Sequence, residues 1–473
     1  MRHFSDTFRS LLGILLLGAL ILGLTLSFQK LRTIKDTAFN SSSPETQTQY
    51  PYPGPAKKPT ESTQLGVQPQ PQSKPTEQPT NQSYPAPQEQ VIATTPVILP
   101  TITATFSPAT ATAVPETIGP LPTGPKIIYS ELRVDKIVIW AASAANPESR
   151  RILTTIDRHG SAGIRATLSH DGTMIAYTAM PPGADGNNPY IADLWIVSLR
   201  DSGTKKLASE VHIGRYQNYP VWSSDDQWIA FERQSNNDFP YERAIVIVDV
   251  EAGTETSLVK ATISDLQTEA REWIYILDWS VDSQLLYYQK GASGHVELWS
   301  TTSTAQNITK MINTITEIGI PRCYTLAPNG KWLLCSIIQQ EANMNSVVLV
   351  PIGPGKGRAL VQGTQIPAID PIWNPNGQSI LITNPQPDGH MSLELLTLEG
   401  RPSQSIQLAE QASLAPRSWA PSGAWLALSK ITDAGREILL VSADGKQVHS
   451  ISAPGELSII GWTMGDIPID SSK

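Results

Sequence analysis

With 473 residues, a formal charge of −8 and Lys and Arg thinly scattered, the chain has no basic stripe of the kind that neutralises phosphates, which argues against a nucleic-acid partner. All twelve tryptophans lie at or beyond Trp140. The anchors of a core are therefore confined to the last two-thirds, and the length requires several domains or one repeat architecture.

A short tail, residues 1–10, is read as cytoplasmic. Residues 11–28, LLGILLLGALILGLTLSF, run without a charge, flanked by Arg2 and Arg9 before and Lys30, Arg32 and Lys35 after. That length spans a bilayer. A cleaved secretory signal is the competing reading, but its apolar core is shorter and is followed by an A-x-A-like site, for which Thr25-Leu26-Ser27 is a poor match. The flanking positive charges are too evenly balanced to fix orientation.

Residues 29–125 form a Pro/Thr/Gln-rich linker, with 18 of the 38 prolines between 37 and 125. Such a composition cannot bury enough apolar surface to fold. As coil it reaches about 50 Å, and as polyproline II about 280 Å. A stalk of this kind fits a domain held outside the cytoplasm, in the periplasm or at the cell surface.

From residue 126 to 466 one pattern recurs: ATLSHDGTMIAYTAM, PVWSSDDQWIAFERQ, LDWSVDSQLLYYQKG, YTLAPNGKWLLCSII, PIWNPNGQSILITNP and RSWAPSGAWLALSKI. Each reads as strand, tight turn, strand, because Pro sets φ, Asp or Asn tolerates the strained corner and Gly supplies positive φ. The anchors Leu168, Trp222, Trp279, Leu326, Trp373 and Trp419 are 54, 57, 47, 47 and 46 residues apart. Two further strands follow each hairpin, so the unit is four antiparallel strands. At the front, IIYSE, KIVIWAAS and RRILTT read as second, third and fourth strands with no first. SIIGWTM at the C-terminus, with Trp462 as anchor, supplies the missing one and closes a ring. The expectation is all-β, a seven-bladed β-propeller with a tail at 467–473.

These W-S-P-D-G-like hairpins resemble the TolB-like, WD-repeat-like propeller repeats of bacterial envelope proteins over roughly residues 126–466. The resemblance implies a non-enzymatic propeller, often extracytoplasmic, that works through protein contacts. The chain departs from TolB in lacking an α/β domain before the propeller, in blade number and in its membrane anchor, so no binding residue is carried over.

No G-x-S-x-G, H-E-x-x-H or C-x-x-C occurs. GPGKG at 353–357 lacks phosphate-loop spacing and reads as a turn. His159, His170, His212, His295 and His390 are dispersed; His212 with Asp278 is the one pairing considered for a metal, and no metal or other cofactor is expected. Asp185, Asn187 and Asn188 lack a calcium-loop pattern and read as a polar loop. Cys323 and Cys335 fall opposite each other across the APNGK hairpin. Strict alternation makes them a hydrogen-bonded pair with Cα atoms about 5.5 Å apart, a geometry that allows a disulfide without requiring one.

The second-to-third and fourth-to-first connections open on one face and are long, and function usually resides on loops held by a rigid scaffold. They carry Tyr190, Arg215, Tyr216, Tyr219, Phe239, Tyr241, Arg243, Arg271, Trp273 and Tyr275, residue types enriched in binding hot spots. The expectation is a membrane-anchored, extracytoplasmic, non-catalytic module that presents this face to an envelope protein or glycan. The alternative is an enzyme acting on a polysaccharide or peptide at the channel mouth, with Arg322, Asp370 and Arg417 as the groups to test.

Overall fold

The computed structural model describes residues 101–103 and 121–465, apart from 160–163, 183–190, 214–218, 236–240, 264–272, 293–294, 304–308, 317–319, 340–343, 365–369, 386–390, 409–412 and 433–434. All of these described residues belong to the compact unit Gln68–Lys473. The apolar run 11–28, nearly all of the linker and the 467–473 tail lie outside them. Among the described residues no helix is long and apolar enough to cross a membrane.

The described secondary structure is entirely β. A short strand β1 (Thr101–Thr103) precedes β2 (Lys126–Leu132), β3 (Lys136–Ser143) and β4 (Arg150–Asp157). Next come β5 (Arg165–Leu168), β6 (Met174–Ala179), β7 (Ile191–Ser198) and β8 (Thr204–His212), then β9 (Val221–Trp222), β10 (Trp228–Gln234), β11 (Tyr241–Asp249) and β12 (Glu255–Ile263). They are followed by β13 (Trp273–Trp279), β14 (Leu285–Ala292), β15 (His295–Thr302) and β16 (Thr309–Thr316), and by β17 (Ile320–Leu326), β18 (Trp332–Gln339), β19 (Met344–Pro351) and β20 (Arg358–Thr364). The series ends with β21 (Ile372–Trp373), β22 (Ser379–Pro385), β23 (Met391–Thr397) and β24 (Pro402–Leu408), with β25 (Ser413–Trp419), β26 (Trp425–Thr432), β27 (Gly435–Ser442) and β28 (Val448–Ile451), and with β29 (Glu456–Thr463).

Consecutive strands pair antiparallel as four-stranded meanders, and β29 pairs with β2 to complete the sheet β29-β2-β3-β4. The expected closure is met, with Ile127 opposite Trp462. The meanders β5–β8 and β9–β12 are joined into one sheet through Arg233 and Val211. The first strands touch in cyclic order, β5 to β9, β13, β17, β21, β25, β29 and back to β5. This arrangement is consistent with a β-propeller. Where other meanders have a hairpin turn, the closing one pairs strands distant in sequence, and the Lys126 ammonium donates to the carbonyls of Gly124 and Gly465, each at 3.2 Å.

Neighbouring meanders are latched through the anchor tryptophans. The indole of Trp222 donates to the Thr167 carbonyl, that of Trp279 to Val221 and that of Trp373 to Thr325, while that of Trp462 donates to the Ser418 hydroxyl. At Leu326, which has no indole, the preceding meander supplies the link: the Asp278 carboxylate accepts from the Leu326 amide at 3.2 Å and from the Trp279 amide at 2.8 Å.

The turns repeat as closely as the latches. Gly172, Asp226, Ser283, Gly330, Gly377 and Gly423, each four residues past its anchor, all have φ between 58° and 71°. A left-handed conformation costs a non-glycine residue about 1 kcal/mol. The two non-glycines are the ones whose side chains reach the preceding turn: Asp226 accepts from the amides of His170 and Asp171, and Ser283 Oγ accepts from the Asp225 amide.

Two expectations are corrected here. The linker does not extend to residue 125: Leu121 is buried among Ile128, Ile137 and Ile139, and β1 pairs in parallel with the outer strand β24, Ile102 opposite Ile406. The Thr-Ile-Thr alternation is a β-branched strand signal that the surrounding prolines hid. Cys323 and Cys335 are opposite each other and bonded, but with Cα atoms 4.0 Å apart, closer than a hydrogen-bonded pair. The register shifts between Cys323 and Leu326, so alternation counted from the turn does not survive to the cysteines.

Candidate functional site

That register shift recurs. In β13, β17, β25 and β29 the irregularity includes the residue two before the anchor: Leu277, Tyr324, Arg417 and Ile460. In the shorter β9 and β21 a proline, Pro220 or Pro371, stands at that position and pairing stops there. A bulge re-aims the side chains beyond it, here toward the end where the long connections lie.

Opposite that stretch the second strands share a feature. Ten residues after each anchor stands a polar side chain: Thr178, Glu232, Gln289, Ser336, Thr383 and Ser429, with Ser130 in the matching register of the closing sheet. All but Ser429 are buried. The first-strand residues facing this layer are Arg165, Tyr275, Arg322, Ala415 and Ser458. Tyr275, expected on the loop face, and Arg322, expected at the channel mouth, therefore share one level of the first strands.

Glu232 is the charged member of the polar layer and the focus of a buried cluster. Its carboxylate is 3.7 Å from the Arg243 guanidinium and accepts from the Ile276 amide of the next meander at 3.3 Å. Both Glu232 and Arg243 are buried. Arg243 Nη2 donates to Gln234 Oε1 and to His212 Nε2, each at 3.1 Å, so the imidazole is neutral with its proton on Nδ1. The guanidinium also lies 5.9 Å from the Tyr241 ring centroid and 5.5 Å from that of Tyr275, within cation–π range. Loss of hydration pushes the Glu232 pKa up to about 7 against the opposing pull of Arg243.

Of the expected contact residues, Tyr190, Arg215, Tyr216, Phe239 and Arg271 lie outside the described residues, as do Asp185, Asn187 and Asn188. Tyr219 is exposed, with the Arg165 guanidinium over its ring. Tyr241 and Arg243 are buried instead of displayed, because β11 is packed on both sides. Trp273 is half-buried and lies across Gly291, its partner on β14, where a Cβ would collide with the indole. Arg322 and Arg417 are exposed and Asp370 is half-buried. His212 and Asp278 do not meet: one bonds Arg243, the other the Trp279 and Leu326 amides. Among the described residues no group of three acidic, His or Cys side chains could hold a metal. GPGKG is a bend, held by the Asn313 amide nitrogen within 3.1 Å of the carbonyls of Pro351, Gly353 and Gly355. Sequence reasoning missed Glu232 and Gln234; the polar residue ten past every anchor was the available signal.

No family model matches the chain, and no curated protein matches it. Solved structures do. A prolyl endopeptidase matches over 72% of this chain and 50% of its own, at 12% identity and a TM-score of 0.50. Prolyl oligopeptidase B of Galerina marginata matches over 73% and 50%, at 11% identity and 0.47. TolB of Acinetobacter baumannii matches over 71% and 82%, at 15% identity and 0.41.

The chain spans about half the length of the prolyl peptidases it matches. At these identities the likeness is one of fold. The expectation of a non-catalytic module does not stand, since the structure matched at a TM-score of 0.50 is that of a prolyl endopeptidase. The absent catalytic motifs behind that expectation were those of particular families, and a propeller can gather a site from separate strands.

Proposed function

We propose that the protein is a seven-bladed propeller enzyme that hydrolyses peptides at the long-connection end of its first strands. The cyclic order in which β5, β9, β13, β17, β21, β25 and β29 touch supports seven blades. The peptidase likeness supports the substrate class. The observation that carries the proposal is the buried Glu232–Arg243 cluster. Two ionic groups removed from water and set 3.7 Å apart add little to stability, whereas a carboxyl with its pKa near 7 is matched to proton transfer at neutral pH. In the proposed reaction Glu232 takes a proton from water as its oxygen attacks the peptide carbonyl. The new C–O bond places negative charge on the carbonyl oxygen, Arg243 stabilises it, and Glu232 returns the proton to the departing amine as the C–N bond breaks.

The 11–28 run is proposed as the membrane anchor, with the propeller outside the cytoplasm. The bonded Cys323 and Cys335 support an oxidising compartment. Incubating the full chain with a diverse peptide library, read by mass spectrometry, is expected to give cleavage products. A library returned intact would refute the proposal.

A further inference from the structure

On an acidic chain, the first strands carry an excess of arginine. Arg165 and Arg322 occupy equivalent register positions on β5 and β17, each facing a member of the polar layer, Thr178 and Ser336 respectively. Arg417 is the bulged residue of β25. Arg322 and Arg417 are both exposed, and among the described residues neither has an ion-pair or hydrogen-bond partner. Among the acids of this series, Asp370 is half-buried before β21 and engaged in an interaction of its own, and Glu456 of β29 is paired with Arg436. Asp278, the acid of β13, is spent on the Trp279 and Leu326 amides. Arg165 has the Tyr219 ring beneath it.

First strands that touch in a closed order leave their exposed side chains the solvent inside the ring or at its mouth. A concave site lined by one sign of charge concentrates ligands of the opposite sign, and a guanidinium matches a carboxylate with two parallel hydrogen bonds. Charges left without partners on a protein of net charge −8 repay no folding energy.

We infer that Arg322 and Arg417, together with Arg165 on β5, select peptides rich in carboxylates, so the substrates of this enzyme are acidic peptides. The inference rests on the proposed peptide hydrolysis and adds its specificity. Octaglutamate, octaglutamine and octalysine, each fluorescently labelled, are titrated against the full chain at 50 and 200 mM salt, with binding read by anisotropy.

Octaglutamate should bind best and weaken with salt. Arg322→Gln and Arg417→Gln should each lower its affinity about tenfold. Both side chains are exposed, and an unchanged melting temperature verifies the fold. Equal binding of octaglutamate and octaglutamine, or a double variant that binds octaglutamate as the parent does, overturns the inference. So does displacement by a polyuronate at lower carboxylate concentration than octaglutamate needs, which would assign the site to an acidic polysaccharide. Cleavage of neutral peptides without charge preference removes this inference and leaves hydrolysis standing. Arginine-dependent binding without cleavage does the reverse.

Discussion

The two ends of each hairpin obey different rules. At the tight-turn end the units share one solution: six have a left-handed residue four past the anchor, and five are tied to the unit before by an indole or carboxylate latch. At the long-connection end the positions are equivalent but the side chains are not. One polar layer holds Thr, Glu, Gln and Ser, and the first strands facing it hold Arg, Tyr, Ala and Ser. Repetition at one end reflects the geometry that any unit needs to pack. Variation at the other marks where a fixed scaffold has been fitted to a task.

If the long-connection end is organised for chemistry, removing half of its ion pair should cost more than any change at the turns. Arg243→Gln leaves Glu232 buried beside a neutral neighbour and is expected to cost about 3–5 kcal/mol at pH 8. The loss should shrink at pH 5, where Glu232 is protonated. The parent protein should show the same titration. The folded pKa of Glu232, about 7, lies above the ordinary glutamate value of 4.5, so the folded state binds more protons in that window and stability falls as pH rises through it, by an amount on the order of 3 kcal/mol. His170, raised mainly by its bond to Asp226, adds to the same trend. Denaturant melts of both proteins at pH 5 and 8 provide the check, and a pH-independent loss in Arg243→Gln would deny the pair its assigned state.

Smaller effects belong to the latches. Asp278→Ala leaves the Trp279 and Leu326 amides without their acceptor and should cost about 1–3 kcal/mol. A variant as stable as the parent would show that the carboxylate does not replace the missing indole. Trp222→Phe keeps the apolar ring but loses the bond to the Thr167 carbonyl, for an expected cost of about 1 kcal/mol. Equality of these losses with that of Arg243→Gln at pH 8 would erase the distinction between the two ends.

The turn end was legible because its chemistry is local. Pro, Asp, Asn and Gly at fixed offsets announce a reversal, and the strand carrying Trp462 could be matched to the segment beginning near Ile127 from spacing alone. The cysteine pairing was found by a count in which two one-residue deviations cancel. Ala327 bonds Trp332 at the turn, not the adjacent Lys331, and the bulge before Leu326 takes the residue back. What was not legible depends on contacts between units. Tyr241 and Arg243 looked like exposed hot-spot residues because the stretch before β11 is polar, yet the strand carries them inward. Asp278 is indistinguishable from a channel acid until Leu326 is known to need an acceptor. Glu232 looked like the polar end of an amphipathic strand, although its counterparts Thr178, Gln289, Ser336 and Thr383 held the evidence that a whole layer is polar.

The most direct test is the pH dependence of kcat/KM for peptide hydrolysis by the full chain and by Glu232→Gln. The account predicts a parent profile that rises with pH through an inflection near 7, as Glu232 loses its proton, and a variant reduced about 100-fold or more. Turnover retained by Glu232→Gln with the same profile would contradict it.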